Sequence, residues 1–306
     1  MAEGGKVAAS DGARPAGVEV DPVTGHETTG HVWDGIRELN RPLPRWWLWT
    51  FYATIAWAAV YIVLYPAVPL LRSGTAGLLG YSTRAAVEES IGEARAAQAG
   101  RLEKIATLPL EEIRSEADLN RFAVGGGRSA FLVNCIPCHG TGAAGSRGYA
   151  NLNDDEWLWG GTLADIYQTI SFGIRSSHPD TRLSEMPKFG ADDILPRDQI
   201  SAVTEFVLSL SGADHDAALV EAGKTVFVEN CAACHGDTGA GNREFGAPAL
   251  NDALWLYDGE PATVLAQISQ PRHGVMPAWS GRLSDTVIKQ LALYVHSLGG
   301  GEAPAN

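Results

Sequence analysis

Cys135-Ile136-Pro137-Cys138-His139 and its echo Cys231-Ala232-Ala233-Cys234-His235 are the stretches from which the rest of the chain takes its meaning. Two thiols three residues apart, followed at once by a histidine, form the attachment pattern of c-type haem. Both thiols can add to vinyl groups on one edge of a porphyrin, and the adjacent imidazole then reaches the iron as proximal ligand. A redox or zinc C-x-x-C that happens to precede His is the competing reading of one copy. Two copies use all four cysteines of the 306 residues, which leaves no thiol for a zinc site or a structural disulfide. The pattern predicts two covalent haems c. Cys135, Cys138, Cys231 and Cys234 are the expected thioether anchors, and His139 and His235 the expected proximal iron ligands.

Around the motifs runs an internal repeat. Gly127-Arg-Ser-Ala-Phe131 precedes the first as Gly223-Lys-Thr-Val-Phe227 precedes the second, and Asn134 answers Asn230. Leu152–Trp157 answers Leu250–Trp255, and Met186-Pro187 answers Met276-Pro277. Each unit closes on an apolar pattern of helical period, Ile200, Val203, Phe206, Val207, Leu210 and then Val287, Leu291, Tyr294, Leu298, the second with Ser284 as N-cap. The order of parts fits the small all-helical cytochrome c fold, in which haem supplies much of the apolar core. In this reading Gly127 and Gly223 let each closing helix approach, packed by Phe206 and Tyr294 respectively.

Apart from the initiator, the chain has two methionines, Met186 and Met276, 47 and 41 residues after a motif histidine and each before proline. A thioether suits haem iron and raises its potential, so both are expected distal ligands, against the blander reading of core filling. The repeat suggests that each Met serves the haem of its own unit. His178 and His273 lie near these methionines as alternative ligands or haem-edge hydrogen-bonding groups, while His215 and His296 read as surface. Six-coordinate irons have no position for substrate, so electron relay is expected and no catalytic residue.

Upstream, Trp46 to Leu71 is a run of 26 residues without a charge, bounded by Arg45 and Arg72. It is long enough to cross about 30 Å of hydrocarbon as a helix, with Trp46, Trp47 and Trp49 at the interface and Pro66 and Pro69 ending the helix or kinking it. A polar lead of some 45 residues argues against a cleaved signal. Haem c is attached outside the bacterial cytoplasmic membrane, so the amino end is expected in the cytoplasm and the haem domains in the periplasm. The expected organisation is all-α: a disordered cytoplasmic tail over residues 1–30, a membrane-proximal segment and transmembrane helix over 31–72, a helical connector over 73–117 with Ser82 as cap and a break at Leu108-Pro109, and two tandem cytochrome c domains over 118–211 and 212–302.

Net charge is −13, of which about −12 lies after residue 72, where seventeen Lys/Arg face twenty-nine Asp/Glu. Such a balance argues against a nucleic-acid role and suits a basic protein partner, or solubility alone.

Asp34-Gly-Ile-Arg-Glu-Leu-Asn-Arg-Pro-Leu-Pro-Arg-Trp-Trp-Leu-Trp49, followed by one span and two C-x-x-C-H units with Met-Pro, resembles subunit III of cbb3-type cytochrome c oxidases, the CcoP or FixP subunit, over about residues 31–300. The resemblance implies an inner-membrane dihaem relay in the respiratory chain. It would take electrons from a cytochrome c or the cytochrome bc complex and pass them through the monohaem subunit to the haem-copper subunit, where oxygen is reduced and protons are pumped. In this family the two Met ligands can be assigned crosswise between the domains. Other readings are a free-standing dihaem carrier, the cytochrome subunit of a periplasmic dehydrogenase, and a dihaem peroxidase, which needs an open iron position.

Overall fold

The computed structural model describes residues 17–303, and the chain divides into two compact units between Glu93 and Ala94. In the first, strand β1 (Thr28–Trp33) pairs antiparallel with β2 (Ile36–Leu39), Val32 opposite Arg37 and Trp33 opposite Ile36. Asp34 and Gly35 turn the hairpin with φ of 48° and 85°, the two positive values that an Asp-Gly hairpin turn requires. Val20 bridges Glu27, Thr28 is buried with its hydroxyl accepting from the Glu19 N–H at 3.0 Å, and Arg37 pairs with Glu19. Residues 17–30 of the tail expected over 1–30 are therefore hydrogen-bonded structure; residues 1–16 of it lie outside the described residues. Most of these bonds run between backbone groups, with the Asp21 carboxylate and the Thr28 hydroxyl adding to them, and the segment lacks the apolar alternation that marks a buried strand.

Helix α1 (Arg45–Leu64) buries none of its residues and is the one described helix long and apolar enough to cross a membrane. Twenty residues at 1.5 Å each rise about 30 Å. The helix uses the first part of the charge-free run and stops before Pro66, where Tyr65 is extended, as a residue before proline prefers. The chain then folds back. Leu78 and Leu79 donate to the Val63 and Leu64 carbonyls at 3.0 and 3.1 Å, answering helix-end acceptors that have no partner within the helix. Gly77, at φ +70°, permits the return, since a Cβ there would lie 2.5 Å from the Leu64 carbonyl oxygen.

The connector is helix α2 (Thr83–Thr107), begun by Ser82, whose Oγ accepts from the Ala85 N–H at 3.3 Å. After Leu108-Pro109 come α3 (Leu110–Ser115), α4 (Ala117–Asn134), the single turn α5 (Ile136–His139), α6 (Leu163–Phe172) and α7 (Arg197–Leu210). The second repeat supplies α8 (Val220–Asn230), the turn α9 (Ala232–His235), α10 (Pro261–Ser269) and α11 (Asp285–His296), the last capped by Ser284. The described residues are thus mostly helical, with cytochrome-type units in tandem along the sequence and a small hairpin before the candidate membrane helix.

The packing corrects the helix pairing read from the repeat. The closing helices are exchanged: α11 lies on α4 and α7 on α8. A Cβ on Gly127 would sit 2.0 Å from the Gln290 carbonyl oxygen and 2.8 Å from Tyr294 Cβ. A Cβ on Gly223 would sit 2.0 Å from the Ala202 carbonyl oxygen and 2.8 Å from Phe206 Cβ. Phe131 meets Tyr294 with ring centres 5.3 Å apart, and Phe227 meets Phe206 at 5.1 Å. The connections are exchanged as well. The segment after Met276 bonds to α6, Trp279 and Ser280 donating to Ile170 and Ser171; the segment after Met186 bonds to α10, Gly190 and Ala191 both donating to Ser269. Two helical cores result, one from α4, α6 and α11 and the other from α7, α8 and α10.

A third cluster, with Ile105, Ile113, Leu119, Leu163 and Leu293, joins the end of α2 to the first core. Lys289 caps α2 there, its ammonium donating to the Ile105, Ala106 and Leu108 carbonyls at 3.2, 2.9 and 3.1 Å, the favourable end of the helix for a cation.

Candidate haem sites

Both motifs fold identically. The N–H groups of Cys138 and His139 donate to the Cys135 carbonyl, and those of Cys234 and His235 to the Cys231 carbonyl, winding one tight turn. Asn134 and Asn230 brace the preceding helices, donating to the Ala130 and Val226 carbonyls at 2.8 and 3.0 Å. Each imidazole bonds through Nδ1 to a backbone carbonyl: His139 to Ala150 at 2.9 Å, His235 to Pro248 at 3.0 Å. A carbonyl only accepts, so Nδ1 carries the proton, which leaves Nε2 as the lone-pair nitrogen a metal would take. Burial pulls both imidazoles below their ordinary pKa, the carbonyl bond partly opposing it, and the neutral form is the one that ligates.

The thiols stand at the rim of the cores. Cys138 and Cys234 are exposed, Cys135 half-buried and Cys231 buried. Burial, with the neighbouring thiol adding to it, pushes Cys135 and Cys231 up to about 11. Around the first motif gather Phe131, Ile166, Ile170, Leu291 and Tyr294; around the second, Val203, Phe206, Val226, Phe227 and Ile268. Among the described residues no three His, Cys, Asp or Glu side chains converge as a metal site by themselves, so the zinc reading of C-x-x-C finds no ligand set. Two thiols, one neutral imidazole with a free Nε2 and an apolar wall fit a covalently held porphyrin, which brings four nitrogen ligands of its own.

Met276 packs in the core of Cys135, and Met186 in the core of Cys231. In packing this is the crosswise arrangement that the family resemblance left open, not the own-repeat one suggested by the repeat order, and it follows from the exchanged connections.

The family model for cytochrome c oxidase, cbb3-type, subunit III matches residues 123–207 and 218–295, and the model for the N-terminal domain of cytochrome oxidase-cbb3, FixP, matches residues 25–72. The cbb3-type cytochrome c oxidase subunit FixP of Sinorhizobium medicae is 56% identical over 284 residues, covering 92% of this chain and 98% of that one. The subunits named CcoP of an Azospirillum species (strain B510) and of Cereibacter sphaeroides are 55% and 52% identical, covering 92% and 90% of this chain and 98% and 95% of theirs. The chain belongs to the cbb3-type oxidase subunit III family. It is therefore an electron-transfer subunit of that oxidase, a membrane subunit with haem c-binding domains in tandem.

Within this FixP/CcoP architecture the remaining histidines have other partners. His273 Nε2 accepts the Met186 backbone N–H at 3.1 Å, which occupies the nitrogen that ligation through the ring tip would need. His178 lies against Phe172 with ring centres 4.7 Å apart, and its Nδ1 accepts from the Asp180 N–H at 3.1 Å. His215 is exposed, as expected; His296 is half-buried and ties the chain end through its bond to the Glu302 carbonyl at 2.9 Å. Sequence reasoning passed over Arg175, which is half-buried and holds a left-handed backbone at φ 52°, a conformation costing a non-glycine residue about 1–2 kcal/mol. Only its offset in the repeat could have drawn notice. Burial lowers its guanidinium pKa, with Tyr257 and Glu185 opposing.

Proposed function

We propose that this chain carries two haems c and relays electrons, one haem anchored by Cys135 and Cys138 with axial His139 and Met276, the other by Cys231 and Cys234 with axial His235 and Met186. The observation that carries this reading is the duplicated arrangement of thiols, Nδ1-fixed imidazole and a methionine in the same apolar core. Each haem, when bound, supplies a one-electron couple whose potential the Met sulfur raises. The protein's part is to hold the imidazoles neutral and oriented, to seat the methionines and to exclude water around the iron. The oxidase partners are the haem-copper subunit and the monohaem cytochrome c subunit, the donor a cytochrome c or the cytochrome bc complex, and the setting the bacterial inner membrane. Purification through a tag on this chain should bring down a copper-containing haem subunit, with two haems c per copy of the chain; isolation without copper, or with one haem, overturns the corresponding part.

Haem c attachment is extracytoplasmic, so reporter fusions at Gly5 and Asn306 should report a cytoplasmic amino end and a periplasmic carboxyl end. Both ends on one side would rule out a single crossing. The acidic haem-bearing part, about −12, attracts a basic donor through a field screened within about 8–10 Å at ordinary ionic strength. Steady-state oxidation of a basic cytochrome c should slow severalfold between low and high salt, and salt-indifferent turnover would remove the electrostatic docking.

A further inference from the structure

Arg175 and His273 stand 98 residues apart, the same offset as Trp157 and Trp255, Gly161 and Gly259, and Ile170 and Ile268. They are counterparts in the repeat, and each reaches the methionine segment of the other. Arg175 Nε donates to the Gly274 carbonyl at 2.7 Å, two residues before Met276, and its Nη1 donates to the Ser184 carbonyl at 2.9 Å, two residues before Met186. His273 Nε2 accepts the N–H of Met186 itself. Beside Arg175, Ile174 and Met276 exchange both backbone bonds, at 2.9 and 3.0 Å. One planar guanidinium thus spans the two segments whose crossing exchanges the cores, and its rigid fork serves both carbonyls at once.

We propose that Arg175, assisted by His273, is a positioning residue that clasps both methionine segments together, so that the seating of each axial sulfur depends on the same side chain. The clasp rests on the reading of Met186 and Met276 as axial ligands. The backbone at 175 is left-handed, a conformation glycine adopts without strain; Arg175→Gly therefore removes the fork and relieves the main chain. Loss of a merely structural contact would leave the irons as they were.

The test uses the full-length protein, in complex, and the near-infrared thioether–iron band. Met186→Leu and Met276→Leu should each remove about half of it, leaving a band that reports a single haem. Adding Arg175→Gly to either background should weaken the remaining band and open that haem to carbon monoxide. Arg175→Lys, a single ammonium in place of a fork, should restore at most one of the two sites, and His273→Ala should act on the Met186 site alone. Unchanged bands in both backgrounds, or an effect of Arg175→Gly confined to one haem, would overturn the clasp. A wild-type protein with no thioether–iron band would instead overturn the ligand reading beneath it.

Discussion

Replacing Met276 with leucine should lower the potential of the haem held by Cys135 and Cys138 and open that iron to carbon monoxide, leaving the haem nearer in sequence, at Cys231 and Cys234, as it was. Met186→Leu should do the reverse. Leucine keeps the volume that the core requires and removes the sulfur, so the loss is one of ligation. Axial ligands move haem potentials across a range of roughly 0.8 V, and a fall on the order of 0.1 V or more is expected here. The two haems can be told apart by removing one thioether. Cys138 and Cys234 are the exposed members of their pairs, and Cys138→Ala or Cys234→Ala leaves one vinyl group unsaturated, which moves the α-band of that haem alone to longer wavelength. In the Cys138→Ala background, carbon monoxide should bind the shifted haem when Met276 is replaced and the unshifted haem when Met186 is replaced. The opposite pairing would return each methionine to its own repeat.

Much of the site was legible because haem attachment is local chemistry. Cys135 to His139 needs five adjacent residues, and Ser82, Ser284, Pro66 and Pro109 act within a turn of where they stand. The crossing was not legible, and the reason is symmetry. Gly127 and Gly223 sit in the same pattern, and Tyr294 and Phe206 offer each of them an aromatic ring at the same depth. A closing helix that fits one groove also fits the other, and nothing in its own apolar period states which. The contacts that go with the exchange lie far from the helix, such as the two bonds that Ile174 and Met276 exchange and those that Gly190 and Ala191 donate to the Ser269 carbonyl. The hairpin before α1 was missed for another reason: Asp34-Gly35 between Trp33 and Ile36 is a strong turn signal, but the flanking Thr and His hid the alternation. Arg175 had no local signal, since a lone arginine acquires meaning only from the two carbonyls that meet it.

The second large effect is expected at the glycines of α4, where Gly125, Gly126 and Gly127 face three different surroundings. A Cβ on Gly125 meets nothing within 4 Å, so Gly125→Ala should stabilise the helix by about 0.5–1 kcal/mol through its propensity. On Gly126 the nearest atoms belong to the flexible Gln290 side chain, from 2.4 Å, and alanine there should cost little once that side chain turns away. On Gly127 the obstacle is the Gln290 backbone, with its carbonyl oxygen at 2.0 Å. Backbone cannot step aside without lifting α11 from α4. Overpacking of a close crossing costs about 1–3 kcal/mol and sometimes more, and Gly127→Ala belongs at or above the top of that range, as does Gly223→Ala against the Ala202 carbonyl. Hydrogen exchange distinguishes the crossed packing from the sequential one. Gly127→Ala should speed exchange in residues 285–296 and release Met276 from the haem at Cys135, while 197–210 stay protected; Gly223→Ala should speed 197–210 and spare 285–296. If Gly127→Ala instead loosened 197–210, the closing helices would lie with their own repeats, and the two cores would be independent domains. With the helices exchanged neither repeat can complete a core by itself, and cutting the chain between residues 211 and 216 should leave two fragments that hold together through the crossed helices.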